Sequence, residues 1–273
     1  MMKELLLPFG LENAPVLPIE AAATLAEHFN ARATATFYPR VPDPVIVDPM
    51  SPGVVSYEGV GEELEAQKAQ AREAYEKRLG DAAKDFPGGG ISLDVNSLSS
   101  WHQVAQLSRI YDMTLVPRSA SFPDWQMVFE ATLFEGGRPV MLIPDNWSGK
   151  CGEQVAIGWN RSTETARLVG QTLDVMRAAK VVHVIEVPGW HTAGPDGAGL
   201  ARYLERHGID AKLHMAPESP NGAGYQVLEQ CGELGADLLL KGAYTQSRLT
   251  QMIFGGATKQ ILQEAQLPVV FAH

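Results

Sequence analysis

One pattern of strand, helix and strand occurs twice in this chain of 273 residues. Asp112-Met-Thr-Leu-Val runs into a helical pattern through Phe129 and Leu133, then into Arg138-Pro-Val-Met-Leu-Ile-Pro144. Asp237-Leu-Leu-Leu-Lys-Gly242 runs into a helical pattern through Ile261 and Leu262, then into Leu267-Pro-Val-Val-Phe-Ala272. The openings also correspond: Glu4-Leu-Leu-Leu-Pro-Phe-Gly10 in one half, Glu153-Gln-Val-Ala-Ile-Gly-Trp159 in the other. A repeat of this length constrains the fold more than any single motif, because both copies must adopt the same supersecondary order.

Each opening strand precedes a helical pattern, Ile19 to Phe29 or Thr163 to Ala178. A second apolar strand follows, Ala33 to Tyr38 or Val181 to Val187. Each half thus reads as five strands alternating with four helices. The strands are continuous apolar runs, as expected when helices cover both faces of a parallel sheet. Alternation of this kind is the α/β class, doubly wound by right-handed crossovers. The halves divide at the polar stretch Asp145-Asn-Trp-Ser-Gly-Lys150, giving expected domains 1–146 and 151–273. The closing strand, Pro268 to His273, is apolar and is expected at a sheet edge, where it would invite pairing.

Half one carries a Pro-rich excursion, Pro39 to Pro52, and then a charged helix from about Gly59 to Ala83. That helix reads as a solvated face braced by ion pairs along it. Gly88-Gly-Gly90 lacks a strand before it and reads as a turn rather than a phosphate loop.

Three stretches of half two bear a family likeness. They are Val155-Ala-Ile-Gly-Trp-Asn-Arg-Ser162, Gly235-Ala-Asp-Leu-Leu-Leu-Lys-Gly-Ala-Tyr244, and Phe254-Gly-Gly-Ala-Thr-Lys-Gln-Ile-Leu262 followed by Pro268-Val-Val. In this order the chain resembles the universal stress protein family in its tandem, UspA-like form. The resemblance implies two Rossmann-like domains of the adenine nucleotide alpha hydrolase-like type, each a five-stranded parallel sheet flanked by helices. It implies pairing of the two halves and, in one branch, ATP binding on a loop of the form Gly-x2-Gly-x9-Gly-Ser/Thr. Glycines let the backbone approach phosphates, and N–H groups at a helix N-terminus bind the anionic oxygens.

Mapped onto half two, the loop keeps Gly242 and Gly255. Thr245 replaces the second glycine, and Gly256 replaces the hydroxyl residue. Asn160 stands where the family has an acidic residue. The candidate nucleotide-binding residues are therefore Gly158, Trp159, Asn160, Gly242, Thr245, Arg248, Gly255, Gly256, Ala257 and Thr258. Each has a plainer reading. Gly255 and Gly256 suit close packing of a helix N-terminus, Arg248 a surface charge, Trp159 the core, and Ser162 or Asn160 a helix cap. In half one the pattern is lost: Gly10 stands where the acidic residue would be, Pro117 at the first glycine, and Gln126 and Met127 at the Gly-Ser/Thr pair.

A net charge of −10 argues against nucleic acid or an anionic membrane as partner. Two cysteines, Cys151 and Cys231, make no disulfide scaffold and fit a cytoplasmic location. The seven histidines have no metal-ligand spacing, and His183, inside an apolar strand, reads as a satisfied core residue. No nucleophile elbow or paired carboxylate marks a catalytic centre. The leading expectation is a non-catalytic stress-response protein that binds ATP or another adenine nucleotide weakly in half two, without a metal site. The alternatives are a nucleotide-free protein scaffold and, third, a slow adenine-nucleotide hydrolase. A homodimer of the whole chain is compatible with all three.

Overall fold

The computed structural model describes residues 2–9, 16–37, 45–46, 55–56, 60–82, 91–95, 100–120, 122–145, 147, 151–217, 220–243 and 256–273. Half one contains β1 (Glu4–Phe9), α1 (Val16–Phe29), β2 (Arg32–Phe37), the two-residue strands β3 (Val45–Ile46) and β4 (Val55–Ser56), and α2 (Val60–Ala82). It continues with β5 (Ile91–Asp94), α3 (Trp101–Leu107), β6 (Met113–Arg118), α4 (Trp125–Glu135) and β7 (Val140–Pro144). Half two contains β8 (Gln154–Gly158), α5 (Thr163–Gln171), α6 (Leu173–Ala178), β9 (Val181–Glu186), α7 (Gly197–Arg206) and β10 (Ala211–Met215). It ends with α8 (Ala223–Glu233), β11 (Leu238–Gly242), α9 (Ala257–Glu264) and β12 (Val269–Ala272). Gly88–Gly90 and nearly all of Pro39–Pro52 lie outside the described residues.

Ten strands form one sheet in the order β10-β9-β8-β11-β12-β7-β6-β1-β2-β5. In this sheet every pairing within a half is parallel, while β3 and β4 form a separate antiparallel pair. The expected α/β class with a mostly parallel sheet is therefore the observed one. The first strand of each half lies in the interior of its five, so the chain reverses direction across the sheet there. In half two this switch point falls between β8 and β11.

The expectation for the closing strand is corrected. β12 is no edge: it pairs antiparallel with β7, Val270 opposite Met141, at the middle of the sheet. Each half would expose its fifth strand alone, and the two fifth strands cover each other. The edges are instead β10 and β5, whose residues are mostly half-buried or exposed. Lys212 on β10 is an exposed charge of the kind that blunts an edge.

Burial follows the pleat. Leu238 and Leu240 join the core on one face of β11, and Leu239 joins the core on the other. Both cores run through both halves. Phe129 and Phe271 meet edge to face at 5.3 Å across the junction, a geometry worth about 1 kcal/mol beyond area. The repeated aspartates do the same work in each half. Asp112 accepts from the N–H groups of Lys3 and Glu4, and Asp237 from those of Gly152, Glu153 and Gln154. Each pins the entry of its half's first strand.

The helix expected over Thr163 to Ala178 is two helices. Thr172 breaks it with φ −114° and ψ 16°, its hydroxyl donating to the Leu168 carbonyl at 2.8 Å. That side-chain bond competes with the continuing helix. On α2 the described side chains are mostly exposed, with Ala71 and Tyr75 buried and Lys68 paired to Glu65. The charged helix is a solvated face, as its pattern predicts.

Candidate functional site

Open α/β sheets bind ligands at the carboxyl ends of their strands, in the crevice where strand order reverses. In half two that crevice lies beyond Gly158, the last residue of β8, and Gly242, the last residue of β11. The N-terminus of α5 closes against it. A Cβ on Gly242 would lie 2.4 Å from both the nitrogen and Oγ1 of Thr165, so only glycine lets β11 end there.

The segment after β8 is tightly tied. Ser162 caps α5, its hydroxyl accepting from the Thr165 N–H at 3.3 Å. Asn160 is buried, and its Oδ1 accepts from Thr165 Oγ1 at 2.8 Å and from the Ser162 N–H. Trp159 is buried in the core, its indole N–H donating to the Pro195 carbonyl at 3.0 Å. The core reading of Trp159 and the capping reading of Ser162 are what the geometry displays.

The helix α9 follows Gly256, an N-cap with no side-chain hydrogen bond. Ala257 and buried Thr258 form its first turn. Gln260 ties α9 to α8, accepting from the Gly224 N–H and donating to the Asn221 carbonyl. Thr245, Arg248 and Gly255 lie outside the described residues.

Sequence reading overlooks one residue of this crevice. Lys241, next to Gly242, is fully buried. Its stem lies over Gly158, where a Cβ would sit 3.3 Å from Lys241 Cδ and 3.4 Å from Val227. The missing side chain of Gly158 therefore makes room for Lys241. The ammonium donates to the Gly242 carbonyl and stands 4.9 Å from the centre of the Trp190 ring. Burial pushes its pKa down to about 7, against the opposing charge of Glu164. Burial also pushes the Glu164 carboxyl up, but its own N–H, Thr163 and Ser162 hydrogen bond to it, and with the His273 charge they hold it below the usual range. The sequence signal is a single charge inside the run Leu-Leu-Leu-Lys-Gly of a doubly covered strand.

Half one offers no such arrangement among its described residues. Pro117 lies within β6 and Gln126 and Met127 in the first turn of α4. Arg118, at the carboxyl end of β6, spends its guanidinium on the Leu262 and Ala265 carbonyls, capping the C-terminus of α9. His183 is satisfied by His214 at 3.0 Å and Gln154 at 3.1 Å. Both cysteines are buried free thiols, raised above their usual range by desolvation. Among the described residues no three His, Cys, Asp or Glu side chains are grouped to hold a metal ion, and no helix is long and apolar enough to cross a membrane.

The fold has counterparts among solved structures. A universal stress protein from Archaeoglobus fulgidus DSM 4304 superposes with a TM-score of 0.66 at 15% identity, covering 98% of this chain and 95% of that one. The chain has the universal stress protein fold. A putative universal stress protein from Pseudomonas aeruginosa UCBPP-PA14 gives 0.56 at 14% identity, covering 99% of this chain and 93% of its own. A protein of unknown function from Pseudomonas aeruginosa PAO1 gives 0.56 at 13% identity, with coverage of 99% and 92%. No family model matches the sequence, and no curated protein matches it. Each of the three covers at least 98% of this chain, so the likeness in fold extends across both halves.

Proposed function

We propose that this is a non-catalytic stress-response protein that binds an adenine nucleotide weakly at the carboxyl ends of β8 and β11. In this reading the chain comprises domains 1–146 and 151–273, only the second retaining a ligand site, and acts in the cytoplasm. One observation supports it above the others. At the switch point of half two, two strands end in glycine beside a buried lysine and the first turn of a helix. Positive charge and a helix N-terminus at the end of the sheet both favour a phosphate. Turnover is not part of the proposal.

A second reading, a nucleotide-free scaffold, draws on Asn160. Its Oδ1 is already engaged by Thr165 and Ser162, and the side chain is buried. A ribose would have to displace those bonds.

One experiment separates the two. Protein purified without added nucleotide is denatured and its released small molecules identified by mass spectrometry, with thermal melts run with and without Mg-ATP. Recovered ATP, ADP or AMP, or a clear rise in melting temperature, supports the nucleotide site. An empty protein whose melting ignores ATP favours the scaffold.

A further inference from the structure

The sheet ends in two different strands, β10 and β5, and among the described residues each has no strand on its outer side. Ten strands leave nine spacings between them, about 43 Å in all, so the two edges do not meet within one chain. Their side chains nevertheless match. On β5, Ile91 and Leu93 pack against the core on the α1 side, so Ser92 and Asp94 point to the other face. On β10, Leu213 is in register with Val184 of that same core. Leu213 and Met215 therefore share the α1 face, and Lys212 and His214 lie on the other. Leu213 is 39% exposed and Met215 59%, both large apolar side chains left in solvent.

The halves run in opposite directions, because β7 and β12 pair antiparallel. A second copy that continues the sheet with the same face up thus sets its β10 antiparallel to β5. One register then keeps all four residues of β5 opposite β10. Asp94 faces Lys212, Leu93 faces Leu213, Ser92 faces His214, and Ile91 faces Met215. Both apolar pairs fall on one face, and the opposite charges and the hydroxyl–imidazole pair on the other. Turning the copy over would set Ser92 and Asp94 beside Leu213 and Met215. Like edges match poorly. On the polar face, two β10 strands oppose only Lys212 and His214, and two β5 strands only Ser92 and Asp94.

We propose that β5 of one copy of this chain docks on β10 of the next, so that the sheet runs on from chain to chain. Lys212 then discourages pairing of β10 with itself and selects Asp94. The contact joins two different surfaces, so each copy keeps one edge open for another. Strand twist of about 20–25° per strand turns successive copies about the direction of growth, which gives an open ribbon rather than a closed ring.

The test is sedimentation velocity of the full chain from about 1 μM to about 1 mM. Wild type is expected to sediment faster as concentration rises, without stopping at dimer. K212E and D94K, each alone, are expected to weaken association about tenfold, since like charges then face each other. An equimolar mixture of K212E with D94K is expected to restore it, because the two altered edges match each other and the two unaltered edges still match. M215K, on the opposite face, is expected to weaken association as well. K212E and M215K change exposed positions, so they keep the test decisive even where D94K disturbs its own half; thermal melts run alongside show which variants fold. Wild type that stays monomeric throughout overturns the proposal, as does association that stops at dimer. Association unchanged in K212E and M215K, or a mixture of folded K212E and D94K no more associated than its components, overturns the edge pairing.

Discussion

Replacing Lys241 with Met is expected to stabilise the protein near neutral pH, and the gain should vanish in alkali. The amine titrates near 10.5 in an exposed chain and about 7 in the fold. Between those values the unfolded chain binds more protons than the folded one, so wild-type stability rises with pH across that window. Below about pH 7 the deficit is constant, because both states are protonated. At 1.36 kcal/mol for each pH unit, the gap corresponds to about 5 kcal/mol. Loss of the hydrogen bond to the Gly242 carbonyl offsets about 1 kcal/mol of this. Met keeps length and volume over Gly158, so packing changes little. K241M should therefore gain about 3–4 kcal/mol at pH 7 and very little at pH 10. Urea unfolding of both proteins at whole pH values from 6 to 10 reads this directly. A variant no more stable at pH 7, or a gain that does not shrink as pH rises, refutes the reasoning.

Four further outcomes are expected. Gly242→Ala drives a methyl to 2.4 Å from the Thr165 nitrogen and should cost about 1–3 kcal/mol in chemical denaturation. Gly158→Ala meets Lys241 and Val227 at 3.3–3.4 Å, a tight fit; a loss under about 1.5 kcal/mol is expected, much less than that of Gly242→Ala. Asp237→Ala leaves three N–H groups of the β8 entry without their acceptor and should lower stability by about 2–4 kcal/mol, seen as faster amide exchange at Glu153 and Gln154. Ser162→Ala removes the α5 cap and should cost about 1 kcal/mol, read from the urea midpoint at unchanged slope.

Most of the fold is legible in the sequence because its strands are buried on both faces. Leu5 to Leu7, Val155 to Ile157 and Leu238 to Leu240 are solid apolar runs, and the structure buries each completely. The position of β12 is not legible. Pairing direction between two halves depends on which surfaces meet, and apolar runs such as Pro268 to His273 look alike whether they end at an edge or a junction. The break at Thr172 is hidden for a different reason, since one hydroxyl bond to Leu168 decides it and Thr is tolerated in many helices. At the site, the glycines and Asn160 are visible as motif positions, whereas Lys241 reads as a blemish in a core strand. Its meaning needs the third dimension: the gap over Gly158 and the ring of Trp190 are contributed by separate elements.

The antiparallel seam between β7 and β12 has an evolutionary consequence. Two identical subunits joined at such a seam would carry every substitution twice, and a lysine suited to one crevice would appear in both. A covalent tandem breaks that bond between copies. Where half two places Lys241, the matching position of half one, counted from Asp112, is Val116, fully buried among apolar neighbours. Arg118 can then reach across and hold the end of α9 without a reciprocal partner. Because the halves are tethered, their association is intramolecular and survives dilution that would part separate subunits. One copy is thereby free to specialise in holding the other.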